Sequence, residues 1–278
     1  MNKLLLGPLA LAGAAAVLPA CQPATSAHTP PAAPAPLPAA TAPTPDSTAA
    51  VLALTRQLDL APLWGNKTPA TRAYGPLDGF FGPDYYRISF YFDQVRRDPQ
   101  LPNVFYVRGR DRYKNAITPF AGTITVTRLA TPLPDTANLP RHTELRTYSA
   151  FADFALREDS TARRAGWLRG RAVLDFALDQ RGRADLVPFE GMDVGLGNPT
   201  KGCGLLFRGT WHDYRTGQQK VVSWANSYEV IVPGVLQAMG LGSRGAEPDP
   251  RLARHGWNTV LANEEWWTTP PAQSRPNL

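Results

Sequence analysis

Between residues 86 and 226 apolar side chains recur at every second position, and clusters of turn-forming residues interrupt the pattern. A period of two is the repeat of a half-buried β-strand rather than of a helix. In 86–93, Tyr86, Ile88, Phe90 and Phe92 share one parity, opposite Arg87, Ser89, Tyr91 and Asp93. In 104–128 the first strand puts Phe105, Val107, Gly109, Asp111 and Tyr113 on one parity. Tyr106, Arg108, Arg110, Arg112 and Lys114 take the other, so four cations project from one side. The returning strand sets Phe120, Gly122, Ile124 and Val126 against Thr123, Thr125 and Thr127.

Segment 148–157 alternates less cleanly and suits either a strand or the start of a helix. The clearest hairpin is 167–187. Leu168, Ala172, Leu174, Phe176 and Leu178 form its apolar parity, and Trp167, Arg169, Arg171, Asp175 and Asp179 are expected to face outward. Asp179-Gln180-Arg181-Gly182 supplies the turn, with Gly182 free to take a positive φ. Segments 205–213 and 219–226 repeat the plan around Tyr214-Arg215-Thr216-Gly217, with Leu205, Phe207, Trp211, Val222 and Trp224 toward a core.

Roughly seven to nine strands with little helix predict a mainly β fold. The expected form is an antiparallel meander closing into a barrel or a sandwich, with short helices at the start and end of the domain. At the start, Ser47 or Thr48 caps a helix with Val51, Leu54 and Leu58 on one face, and Pro62 ends it. At the end, 233–239 reads as a short helix, and Asn258 caps a last one running to Asn263 or Trp267.

The N-terminus predicts the location. Met1-Asn2-Lys3 is a short positive start, 4–18 is apolar, and Leu18-Pro19-Ala20-Cys21 follows. A charged start, an apolar core and a small residue before the cut describe a secretory signal peptide. The run is short of the ~20 residues of a membrane-spanning helix. The placing of Leu18, Ala20 and Cys21 resembles the lipobox of bacterial lipoproteins. That resemblance implies cleavage after Ala20, lipid on the sulfur of Cys21, and residence in the bacterial cell envelope, facing periplasm or exterior. The expected organisation is a signal peptide over 1–20, a lipidated Cys and Pro/Ala/Thr-rich tether over 21–48, and one β-rich domain over 49–278. The tether lacks core-forming residues and is expected to stay extended.

The chain carries 29 Lys and Arg against 23 Asp and Glu, a formal net charge of +6. So mild an excess suits anionic surfaces without implying nucleic acid. Once Cys21 is lipidated, Cys203 is the one remaining thiol, which excludes an intramolecular disulfide. In a Gly-rich turn it reads as a small packed side chain rather than a nucleophile.

Most catalytic signatures fail on context. Gly240-Leu241-Gly242-Ser243-Arg244-Gly245 matches a dinucleotide fingerprint but follows a helix and runs into Glu247-Pro248-Asp249-Pro250. His212 and Asp213 are adjacent on a strand and so point to opposite faces. Glu264 and Glu265 diverge by about 100° on a helix. No metal-ligand spacing occurs, and neither cofactor nor metal is expected.

The candidate ligand-binding residues are therefore Arg108, Arg110, Arg112 and Lys114, because Arg forks match carboxylate and phosphate. Lipid headgroups, acidic polysaccharide or an acidic patch on an envelope protein are the partners this row suits. The glycine-marked hairpins also resemble small up-and-down barrels of the lipocalin and avidin style. The resulting expectation is a membrane-anchored, non-catalytic β domain binding an anionic or amphipathic ligand or an envelope partner. A purely structural envelope lipoprotein and an extracytoplasmic hydrolase are the alternatives.

Overall fold

A computed structural model of the chain describes residues 45–67, 75–130, 146–187, 198–231, 250–260 and 265–268, all within the unit Ala32–Leu278. Cys21, the signal peptide, most of the tether, the glycine motif at 240–245, the helix expected at 233–239 and Glu264 lie outside the described residues.

Two short helices come first, α1 (Pro45–Gln57) and α2 (Ala61–Trp64). Nine strands follow: β1 (Leu77–Phe81), β2 (Tyr86–Arg97), β3 (Val104–Tyr113), β4 (Ala116–Ala130), β5 (Arg146–Glu158), β6 (Gly166–Leu178), β7 (Ala184–Leu186), β8 (Leu205–Asp213) and β9 (Gln219–Ala225). All pairings are antiparallel. From β1 to β6 each strand pairs with its successor. β6 then pairs with β8, β8 with β9, and β9 returns to β1. Eight strands thus close a barrel, and β7 pairs only with the last residues of β6. The choice between barrel and sandwich resolves to a closed barrel, because β1 bonds to a neighbour on both sides. Segment 148–157, ambiguous from its pattern, lies wholly within strand β5.

The inward parity is the apolar parity. Mid-barrel, the Trp224 indole is stacked between Phe90 at 4.0 Å and Phe207 at 4.8 Å, with Phe154 edge-on at 5.2 Å. Gly109 makes room here, since a Cβ would stand 2.6 Å from the Phe120 ring. At the end away from the β3–β4 turn, Leu60, Leu63 and Trp64 join the core, and Trp64 meets Phe207 edge-on at 6.1 Å. Arg97, at the end of β2, donates to the carbonyls of Thr55 and Leu58 and fastens the helical segment there. A second cluster covers the outside of β1, β8 and β9, where Phe80 and Leu206 pack with Val230, Ile231 and Trp257.

Three local expectations are corrected. Pro62 does not end the first helix: α1 stops at Gln57, and Pro62 sits in the opening turn of α2, where its missing N–H leaves no bond unmade. The helix expected from Asn258 is not formed among the described residues, and 261–264 lie outside them. Trp257–Thr259 is a single 3-10 turn, held because the Trp257 indole N–H donates to the Tyr85 carbonyl at 2.7 Å, and 266–268 form another turn. Asp175 points away from the barrel axis but is fully buried, covered by the loop at 198–204. It accepts hydrogen bonds there from the Thr200 amide at 3.0 Å and the Thr200 hydroxyl at 2.6 Å.

Phe207 touches Trp64, Phe92, Phe154 and Trp224 and is fully buried. Its truncation to Ala is expected to cost about 3–5 kcal/mol, read by urea unfolding.

Candidate functional site

The turns at 82–85, 114–115, 159–165 and 214–218 join β1–β2, β3–β4, β5–β6 and β8–β9, so they gather at one end of the barrel. Beneath them the interior is open. A cavity of about 650 Å³ begins where the aromatic packing stops, a size suited to a small molecule. Phe81, Ile88, Tyr113 and Trp211 form its walls. The Phe81 ring lies 4.7 Å from Tyr113 and 5.3 Å from Trp211, which makes one wall continuously aromatic.

Two carboxyls line the cavity from the inward parity. Asp111 pairs in register with Phe90 and Thr118, and Glu158, the last residue of β5, pairs with Phe120. Asp111 is 2% exposed and Glu158 8% exposed. The Trp211 indole N–H donates to Glu158 Oε2 at 3.1 Å, and the Gly166 amide donates to the same oxygen. Gly166 is required at this point, since a Cβ would stand 2.6 Å from the Trp211 ring and 2.1 Å from the His212 carbonyl.

Burial holds the Asp111 carboxyl well above the usual range, and the neighbouring Glu158 charge and hydrogen bond push it further up. Glu158 is also raised by burial, but hydrogen bonds from Trp211, Gly166 and Asp111 oppose the rise. Two like charges so close do not both ionise. The consistent arrangement places the shared proton on Asp111, donated to a Glu158 carboxylate. Oδ2 of Asp111 has no hydrogen-bond partner.

The rim has the opposite sign. Lys114, Arg163, Arg164, Arg215 and Lys220 line it, with Asp213 as the one acid among them. Short polar side chains shape the turns that present these cations. Asp159 accepts from the Thr161 amide and hydroxyl, and Asp213 accepts from the amides of Arg215 and Thr216, both at 2.8 Å. Those amides hold the Asp213 carboxylate below its usual range. Lys114 lies over the rings of Tyr86 and Tyr113, and Lys220 over Phe81. Lys114 at φ 59° and Arg164 at φ 64° occupy the left-handed region, which costs a non-glycine residue energy.

The predicted cationic row is distributed among different environments. Arg108 is exposed on the outer face of β3. Arg110 is 3% exposed: it bridges to both oxygens of Asp93, at 2.6 and 3.1 Å, and donates to the Trp267 carbonyl at 2.7 Å. A bulge in β2 between Phe92 and Gln94 aims Asp93 at it. Arg112 lines a smaller outer hollow of about 280 Å³ with Arg87, Ser89 and Asn258. Lys114 belongs to both this hollow and the mouth cavity. Of the four, the structure brings only Lys114 to the mouth.

Asp111 and Glu158 carry a sequence signal that the cationic parity obscured: each is a lone acid in line with inward-facing apolar residues. Arg163 and Arg164 stand in a turn, where alternation gives no direction. His212 is outside the barrel, stacked flat on Trp167 at 3.9 Å. Cys203 is buried outside the cavity, donates to the Thr200 carbonyl at 2.9 Å, and has its thiol pushed up to about 12 by burial. Among the described residues no group of three or more His, Cys, Asp or Glu side chains is placed to hold a metal ion, and no helix is long and apolar enough to cross a membrane. No protein-family model, curated protein or solved structure matches the chain.

Replacing Lys114 or Arg164 by Gly is expected to raise stability by a few tenths to about 1 kcal/mol in urea unfolding, because left-handed strain is relieved. The acid pair gives a pH signature. The folded protein keeps a proton on Asp111 that the unfolded chain releases near pH ~3.9. The associated stability is complete below that value and is lost as pH rises through the raised folded pKa. The melting temperature of Asp111→Asn should therefore gain on that of the wild type as pH rises from about 4 towards the raised folded pKa.

Proposed function

We propose that this protein is a lipid-anchored extracytoplasmic binding protein whose barrel mouth takes a small amphipathic anion. In this reading Cys21 carries the lipid, and the Pro/Ala/Thr-rich segment spaces the barrel from the membrane. The observation that carries the ligand assignment is the layering of the cavity, with aromatic and aliphatic walls inside and five cations at the rim. An apolar body enters Phe81, Ile88, Tyr113 and Trp211, and a carboxylate, sulfonate or phosphate stays among Lys114, Arg163, Arg164, Arg215 and Lys220. Guanidinium forks match such groups bidentately. The rim potential also raises the local concentration of an anion before contact.

Within the predicted row, Lys114 contributes directly and Arg112 guides entry from the adjoining hollow. Arg110 is committed to Asp93 and Trp267, and Arg108 stands on the outer wall. Cys203 and His212 face away from the cavity, so neither contributes to the mouth.

The test is a titration with 8-anilinonaphthalene-1-sulfonate, an aromatic anion, read by its fluorescence and by calorimetry. Binding is expected to weaken with salt, and to fall about tenfold or more in Arg163→Ala/Arg164→Ala/Arg215→Ala, a loss of ~1.4 kcal/mol. Equal affinity in the triple variant would remove the mouth as the anion site. For the anchor, a fatty-acid analogue should label the wild type in a bacterial host and leave Cys21→Ala unlabelled.

A further inference from the structure

We infer that the mouth cavity selects dipolar molecules, with a cationic hydrogen-bond donor resting on the Asp111–Glu158 pair and an anionic group held at the rim. This rests on the reading of the mouth as a ligand site and names the class of ligand. Three observations lead to it.

The first is the charge of the inner layer. Two carboxyls that share a proton keep one negative charge, and among the described residues neither forms an ion pair with Lys or Arg. The donors that reach Glu158 are neutral, the Trp211 indole and the Gly166 amide. A charge buried without a counter-ion is costly, and a ligand cation is the group that would relieve it. The second is the state of Asp111. Its side chain is more than nine-tenths buried, it lines the cavity, and its Oδ2 has no hydrogen-bond partner. A ligand ammonium supplies three N–H groups to such oxygens.

The third is the order of the layers. A molecule bearing only negative charge is attracted to the rim but repelled from the inner layer. A molecule bearing only positive charge must pass the rim cations to reach the carboxyls. A dipolar molecule with its charges at opposite ends of an apolar body meets complementary charge at both. The aromatic wall of Phe81, Tyr113 and Trp211 lies between the two layers and suits a flat, rigid body.

The experiment compares three probes of one shape by calorimetry on the full-length wild-type protein. 4-(Aminomethyl)benzoate carries both charges, 4-methylbenzoate only the anion, and benzylamine only the cation. The dipolar probe is expected to bind at least about tenfold tighter than either of the others. In Glu158→Gln the advantage over 4-methylbenzoate should vanish, whereas Asp111→Asn, which leaves the Glu158 charge, should retain it. Equal binding of 4-methylbenzoate and the dipolar probe to the wild type would overturn the inference, and so would an advantage that survives in a folded Glu158→Gln protein. If Glu158→Gln does not fold, the wild-type comparison decides alone. A failure here is distinct from a failure of the mouth as an anion site: the sulfonate dye would still bind in a rim-dependent way while the dipolar preference was missing.

Discussion

The seam between β1 and β9 is the constraint on which the rest of this structure depends. β1 is five residues long and supplies both the last pairing of the meander and the first. At its centre Gly79 lies opposite Trp224, and a Cβ there would come 2.1 Å from the Ser223 carbonyl and 2.6 Å from the Trp224 Cα. The strands close only because that atom is missing. Closure removes both sheet edges, which an open eight-stranded meander would leave exposed to pairing with other chains. It also gives every strand an inside and an outside, so one parity must fill an interior of fixed width. On the outer side of β1, Asp78 accepts from Arg87 at 3.0 Å and from the Ser89 hydroxyl, tying β1 to β2.

Filling that interior accounts for the position of the cavity. From the helical end to the level of Phe90 and Phe120, large rings pack against one another, with Gly109 opposite Phe92 and Phe120. At that level the inward positions on β3 and β5 become Asp111 and Glu158, in register with Phe90 and Phe120, and packing gives way to a space. Carboxyls cannot be buried as isolated charges without a penalty of several kcal/mol. Sharing one proton halves the charge, and the indole of Trp211 and the amide of Gly166 solvate what remains. The indole therefore joins a wall of the cavity to its inner acid, which makes Trp211 a positioning residue as well as a packing one.

The division between what the sequence made legible and what it hid follows the same geometry. Strand parity is local, so the inward sets on β2, β4, β6, β8 and β9 could be read directly from alternation, and Gly182 at φ 74° takes the turn conformation expected of it. Closure itself is a pairing between residues nearly 150 positions apart, and no local pattern reports it. Asp175 shows the limit of parity: it points outward, yet the loop around Thr200 buries it. The cationic row fails as a unit for the same reason. Alternation gives the side of the strand on which Arg110 projects, but not that a bulge and a distant segment cover it. Asp111 was visible as an acid among inward apolar residues. Its meaning depended on Glu158, which is 47 residues away in sequence and separated by an intervening strand.

The mouth consequently has two layers with different structural origins. The inner acids and aromatic rings stand on strands, where register fixes each side chain against its neighbours. The cations stand mainly on turns, whose shape comes from aspartate caps and, at Lys114 and Arg164, from a strained backbone. Left-handed positions are occupied at least cost by Gly or Asn, so a long cation held there trades stability for the placement of charge. Strand-borne groups suit the recognition of a rigid ligand body, because they lose little freedom on binding. On the proposed function, turn-borne cations adjust to the outer end of the ligand and attract it over a distance of about one Debye length, ~8–10 Å at physiological salt. Under that proposal discrimination belongs to the inner layer and capture to the outer one, so changes in the turn residues would alter how fast and how tightly an anion is held, and changes at Asp111, Glu158 and Trp211 would alter which one is chosen.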